Sequence, residues 1–194
     1  MLYIASHNQH KIKEFEELFY NIGTPLQALP EEVMDAPEGD RSFIANAVEK
    51  ALYYSRHVQG WILADDSGLC VDRLSGAPGV LSARYAGEPS NAFANNEKLL
   101  KDLALVPWEE RTAKFVCVLA LWDPAGRGWL AQGEVEGIIT TAPIGENGFG
   151  YDPLFYLPSE GRTFGQMSAA RKQSLSHRAV AVKQLLRMWG GVFL

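Results

Sequence analysis

Leu2-Tyr3-Ile4-Ala5 is a short apolar run that meets polar Ser6-His7-Asn8, and Ile12, Phe15, Leu18, Phe19 and Ile22 then recur at helical spacing. The chain therefore opens as strand, loop and helix. Thr24-Pro25 stops that helix, and a short strand is predicted over residues 26–29. Ser42 is placed to cap a second helix whose apolar face is Phe43, Ala47, Ala51 and Tyr54. Trp61-Ile62-Leu63-Ala64 reads as a buried strand ending on Asp65-Asp66-Ser67-Gly68, with residues 69–72 continuing as strand or bulge. Residues 73–89, rich in Gly, Pro and Ser, predict a loop, and a helix over 91–103 follows with Ser90 as its cap. Two β-rich runs, 113–122 and 129–139, flank the turn Asp123-Pro124-Ala125-Gly126-Arg127-Gly128, the pattern of an antiparallel hairpin. A last helix is predicted from Arg178 to Trp189, stopping at Gly190-Gly191. The reading is an α/β chain with a mixed sheet. No repeat, low-complexity tract or linker divides it, so a single domain over 1–194 is expected.

Composition narrows the function classes. The 194 residues are 47% hydrophobic and 21% charged, which excludes general disorder. Eighteen Lys+Arg against 23 Asp+Glu give a net charge of −5, with no run of like charges, which argues against a protein that tracks duplex nucleic acid. A small phosphorylated ligand remains compatible. No stretch reaches the roughly 20 apolar residues that span a bilayer, so neither a membrane anchor nor a signal peptide is expected. Cys70 and Cys117 sit in separate apolar runs and read as reduced core residues, which fits a reducing cytoplasm.

Four segments carry chemistry. Ser6-His7-Asn8-Gln9-His10-Lys11 joins a strand to a helix, and a helix N-terminus beside a cation suits phosphate, although the glycines of a Walker A loop are missing and an ordinary polar connection is the alternative. Asp65-Asp66 end a buried strand, where α/β folds gather ligands. Adjacent strand residues point opposite ways, so one carboxylate at most faces a given cleft and the other braces its neighbours. Asp66-Ser67-Gly68 also spells an aspartic protease half-site, but that chemistry needs two aspartates sharing a proton and only one copy is present. The run Gly145-Glu146-Asn147-Gly148-Phe149-Gly150-Tyr151-Asp152-Pro153 suits either close backbone approach to a stacked ligand or a tight turn. Lys172, His177 and Arg178 offer counter-charge for a polyphosphate, with a solvated helix face as the alternative.

Taken in this order, the segments resemble the non-canonical purine nucleoside triphosphate pyrophosphatases, the Ham1 or inosine triphosphatase family. The likeness rests on Ser6 to Lys11, Ser42-Phe43-Ile44-Ala45-Asn46-Ala47 with Lys50, and Ala64-Asp65-Asp66-Ser67-Gly68-Leu69. It continues through Gly76-Ala77-Pro78-Gly79-Val80, Ser82-Ala83-Arg84-Tyr85-Ala86-Gly87, Gly148-Phe149-Gly150-Tyr151-Asp152-Pro153, and Lys172 with Ser176-His177-Arg178. The resemblance implies an elongated mixed sheet flanked by helices in two lobes around a substrate cleft. It implies Mg²⁺-dependent hydrolysis of ITP, dITP and XTP between the α and β phosphates, as a cytoplasmic homodimer that cleanses the nucleotide pool. By position, Asp66 is the implied general base and metal ligand, and Glu38 the other acidic metal contact. Ser6, His7, Asn8, Gln9, His10 and Lys11 would hold phosphates, Lys50 and Lys172 would add positive charge, and Ser67 would touch substrate. Phe149, Gly150, Tyr151, Asp152, His177 and Arg178 would build the base pocket.

Three departures stand out against the family pattern. His7 and His10 occupy positions where glycine is common, Glu38-Gly39-Asp40-Arg41 stands where Thr-Gly often follows the glutamate, and Ala170-Arg171 replaces a frequent acidic pair. Asp40 is thus an alternative to Glu38. A Maf-like pyrophosphatase of different base specificity and a non-catalytic nucleotide-binding regulator are the competing functions.

Overall fold

A computed structural model of the chain describes residues 1–20, 23–30, 32–37 and 39–189. The opening elements follow the hydrophobic pattern: β1 (Leu2–Ala5), α1 (Gln9–Tyr20), β2 (Leu26–Ala28) and α2 (Phe43–Ser55). Ser42 caps α2 as expected, its hydroxyl accepting from the Ala45 N–H at 3.1 Å. β3 (Trp61–Val71) is longer than expected and runs unbroken through Asp65-Asp66-Ser67-Gly68. Then come α3 (Ala92–Asp102), β4 (Thr112–Trp122), β5 (Gly128–Ile139), β6 (Phe155–Leu157), β7 (Arg162–Thr163), α4 (Ala169–Leu175) and α5 (His177–Trp189). The cap of α3 is Asn91 rather than Ser90: Asn91 Oδ1 accepts from the Ala94 N–H at 3.0 Å, while the Ser90 hydroxyl donates to the Ala83 carbonyl instead. The stop expected at Gly190-Gly191 lies outside the described residues.

The strands form one seven-stranded sheet in the order β2-β1-β3-β4-β5-β6-β7. β1 is parallel to β2 and β3, and β6 is antiparallel to β5 and β7, so the sheet is mixed. The turn between β4 and β5 closes through the Asp123 N–H on the Arg127 carbonyl at 2.9 Å, a connection far too short for a parallel crossover.

By contact density the chain divides into two units. The first comprises Met1–Asp66, Cys117–Gly133 and Arg178–Leu194, and the second Ser67–Val116 and Glu134–His177. In the first unit, alternation along the strands sorts side chains between two apolar clusters. Ile62, Ala64, Val118 and Ala120 join Ala47, Ala51 and Tyr54 of α2, whereas Leu63, Cys117, Leu119 and Leu121 join Phe15 and Phe19 of α1 and Leu185 of α5. A strand covered on both faces needs apolar residues at every position, which explains why these runs do not alternate with polar ones.

The second unit packs Leu69, Val71, Leu99, Leu103, Phe115, Phe155 and Phe164 into its own core. Arg111 is buried there and donates to four carbonyls, Leu103 at 2.9 Å, Val106 at 3.4 Å, Ile139 at 2.8 Å and Thr140 at 2.9 Å. Arg111→Met keeps the apolar stem but orphans these oxygens, so a loss of about 3 kcal/mol is expected, read as a lower urea midpoint at unchanged m-value. Both cysteines are free. Cys117 is buried as expected, but Cys70 is only half-buried, close to the charges of the Lys114–Glu134 ion pair. Among the described residues no helix is long and apolar enough to cross a membrane.

Candidate active site

Strand alternation decides where the two carboxylates go. Asp65 follows Leu63 toward α1 and α5, and Asp66 follows Ala64 toward α2, so each meets a different helix. On the first side, Lys11 Nζ of α1 stands 2.9 Å from Asp65 Oδ2. On the second, Asn46 Nδ2 of α2 donates to Asp66 Oδ2 at 2.8 Å, and Lys50 Nζ lies 3.6 Å from Asp66 Oδ1 and 3.4 Å from the Asp65 carbonyl. Asn46 and Lys50 are four residues apart and share one face of α2. The same Asn46 amide donates to the Gly39 carbonyl at 3.1 Å.

The two carboxyls are tuned apart. Burial alone would push Asp65 up, but Lys11, Arg178 and Lys50 together hold it at about 2. Burial raises Asp66, and Lys50, Lys11 and the Asn46 hydrogen bond only partly offset it. The folded Asp65 binds its proton less tightly than the unfolded chain, whose ordinary value is 3.8, so its contribution is fully present above about pH 4 and is lost as pH falls toward 2. Urea midpoints followed through this window should fall by roughly 2 kcal/mol of stability in the native sequence, and Asp65→Asn should flatten that slope. Asp66, raised rather than lowered, acts in the opposite sense and at higher pH.

The first loop caps itself. Asn8 Oδ1 accepts from the N–H groups of His10 at 3.0 Å and Lys11 at 3.2 Å, and the Asn8 N–H donates to Ser6 Oγ at 3.2 Å. Two amides of the first helical turn that the sequence left open to an anion are thus already engaged. His7, Asn8, Gln9 and His10 are exposed, with the His7 ring against Asp35, and Lys11 of this loop reaches Asp65. Glu38 lies outside the described residues, and Asp40 is exposed. Among the described residues no group of three or more His, Cys, Asp or Glu side chains gathers around a common point.

In the second unit, Ser67 is half-buried in β3, directly after Asp66. Asp152 organises the glycine-rich loop: its Oδ2 accepts from the Phe149 N–H at 2.7 Å and from Lys172 Nζ at 2.6 Å. Lys172 also stands 4.5 Å from the centre of the Phe149 ring. Gly148 adopts φ +76°, and a Cβ there would come within 2.0 Å of that carboxylate, so no other residue fits. The Tyr151 hydroxyl donates to the Ser82 carbonyl at 2.8 Å. The His177 ring stacks on Phe115 with centroids 4.9 Å apart. Back in the first unit, Arg178 Nη1 donates to Glu14 Oε2 at 2.8 Å.

Lys172, His177 and Arg178 are all buried, which removes the solvated helix face as an explanation of these cations. The sequence reading missed Asn46 and Glu14 as site residues. Their helical offsets from Lys50 and Lys11 were the available signal, but neither offset names the partner across the fold.

A mixed α/β sheet carrying two buried, adjacent aspartates, each answered by a lysine from a different helix, defines a hydrophilic centre inside an apolar frame. The chain belongs to the Ham1 family, whose pattern it matches over residues 2–188. It is 45% identical over 194 residues to the dITP/XTP pyrophosphatase of Shouchella clausii, covering 99% of this chain and 98% of that one. The dITP/XTP pyrophosphatase of Listeria monocytogenes serovar 1/2a is 47% identical over 184 residues, covering 94% and 91%. The solved Ham1 protein of Staphylococcus aureus superposes with a TM-score of 0.86 at 38% identity over 98% of both chains.

Proposed function

We propose that this protein hydrolyses non-canonical purine nucleoside triphosphates, among them ITP, dITP and XTP, to the monophosphate and pyrophosphate, and so cleanses the nucleotide pool. The observation that carries the reading is the pair Asp65-Asp66, one carboxylate held by Lys11 and the other met by Lys50 and Asn46, in a chain whose relatives bear pyrophosphatase names. Asp66 takes the proton of the water that attacks the α-phosphorus as the bond to the departing pyrophosphate breaks. Its raised affinity for protons suits a base, and Asn46 fixes its orientation. Lys11 and Lys50 spread the charge of the phosphate oxygens, and Asp65 keeps Lys11 in place. Ser6, His7, Asn8, Gln9 and His10 line the phosphate loop, and Ser67 touches the substrate. Phe149, Gly150, Tyr151, Asp152, Lys172, His177 and Arg178 serve the base end, with Lys172 ordering the loop through Asp152.

The donors around Asp66 suit Mg²⁺, a hard cation that takes oxygen ligands, binds through one or two carboxylates and keeps several waters. Asn46 Oδ1, buried beside Gly39 without a partner among the described residues, leaves a further oxygen in that neighbourhood. Asp66 would hold the ion together with Glu38 or Asp40. Bound there, Mg²⁺ supplies charge neutralisation for the phosphates and acidifies its water. A cytoplasmic homodimer, as the resemblance implies, completes the proposal.

Incubation of the protein with a nucleotide panel and Mg²⁺, with products resolved by chromatography, tests the reading. ITP should give IMP and pyrophosphate in equal amounts. A nucleoside diphosphate with free phosphate, preferred use of other nucleotides as by a Maf-like enzyme, or binding without turnover as by a regulator, would each overturn it.

A further inference from the structure

The glycine-rich loop rests on α3 through one amide. Asn96 Nδ2 donates to the Gly150 carbonyl at 3.1 Å, while Asn96 Oδ1 is buried with no hydrogen-bond partner among the described residues. The orientation is forced, because a flipped amide would set two oxygens against each other. A buried, unmatched carbonyl is costly, and an apolar side chain of the same volume would fill the space without that cost. What only an amide supplies at this position is its hold on Gly150.

That hold reaches the loop's other donors. The Gly150 carbonyl and the Tyr151 N–H belong to one planar trans peptide and point in opposite directions, so fixing the first aims the second. The Tyr151 N–H donates to no described residue, and nothing lies within 4 Å of where a Gly150 Cβ would stand. The Phe149 N–H, by contrast, is already taken by Asp152. Neighbouring Asn95 secures the same support from below: its Nδ2 donates to the Ala83 carbonyl at 2.9 Å, and its Oδ1 accepts from the Ala86 N–H at 2.7 Å. The adjacent Ser82 carbonyl receives the Tyr151 hydroxyl. Tyr151 is thus held at its ring end by Ser82 and at its backbone end through Gly150.

We propose that Asn96 is a positioning residue for purine selection: by holding the Gly150 carbonyl it aims the free Tyr151 N–H at the 6-oxo group of the base. The inference rests on the pyrophosphatase reading above. Asn96→Leu removes the donor at similar volume, and Asn96→Asp replaces it with a carboxylate oxygen that opposes the Gly150 carbonyl. One such hydrogen bond is worth about tenfold in affinity, so both variants should raise the dissociation constant for IMP and the KM for ITP by about that factor, and lower the preference for ITP over ATP equally. The kcat for ITP should stay within about threefold, because the lost contact acts on bound substrate and transition state alike. Unchanged IMP affinity and unchanged preference, with only the melting temperature lowered, would mark Asn96 as a packing residue and overturn the proposal, as would a loss confined to kcat. Wild-type protein that releases no IMP and pyrophosphate from ITP would strike the functional reading itself, and the role of Asn96 with it, whereas an active wild type with unaltered variants strikes Asn96 alone.

Discussion

Inosine triphosphate is expected to be turned over with a kcat/KM about 10⁴-fold above that of adenosine triphosphate, because the base end proposed above presents donors. Hypoxanthine and xanthine present a 6-oxo acceptor where adenine presents an amino donor. The Tyr151 N–H is uncommitted among the described residues, and His177 and Arg178 are the further donors assigned to the base end in the proposed function. Adenine would set its amino group against these donors and leave both sides unmatched, a mismatch far more costly than a missing methyl group. Guanine shares the 6-oxo group, so ATP is the nucleotide that tests this donor set. Steady-state rates on ITP and ATP at several Mg²⁺ concentrations measure the ratio, and comparable values for the two would remove the base assignment.

Asp66→Asn is expected to fold and to lose roughly 10²-fold or more in kcat, the scale of general-base removal. The amide keeps the shape and still offers an oxygen to Asn46 Nδ2, so the local geometry survives. It cannot accept the water's proton, and it brings no charge to Mg²⁺ or to Lys50, 3.6 Å away in the native protein. Removing one partner of a buried pair also leaves Lys50 less well compensated, although the Asp65 carbonyl at 3.4 Å still faces it. Turnover at saturating Mg²⁺, beside a circular dichroism spectrum that verifies folding, gives the answer. Near wild-type kcat would take the general base away from Asp66.

The elements that were legible in advance are those in which local chemistry and tertiary need agree. Ser42 caps α2 because its hydroxyl needs only the Ala45 N–H three residues on. Ser90 is the expected cap of α3, but Asn91 takes that place because the Ser90 hydroxyl is drawn to the Ala83 carbonyl, a contact between segments. The short elements β6, β7 and α4 escaped prediction, since two to seven residues carry too little periodicity to stand out from a loop. β3 runs on through its expected end at Asp65-Asp66-Ser67-Gly68 because partners on α1 and α2 answer both carboxylates, which lets the strand stay buried while charged.

The order of residues alone determined that Asp65 and Asp66 would face opposite ways, because a strand's period of two is a property of the backbone. It also determined that a turn at Asp123 to Gly128 would close a hairpin, and that Gly148 would stand in a loop. Only the tertiary structure decided which charges answer which carboxylate: Lys11 and Asp65 are 54 positions apart, and Lys172 and Asp152 are 20. It alone decided that Lys172, His177 and Arg178 are buried rather than solvated, and that the Phe149 amide is taken by Asp152 while that of Tyr151 has no partner among the described residues. Pairing between distant segments follows from how helices cover the two faces of the sheet, and side-chain chemistry becomes specific only once that packing has excluded water and set the distances.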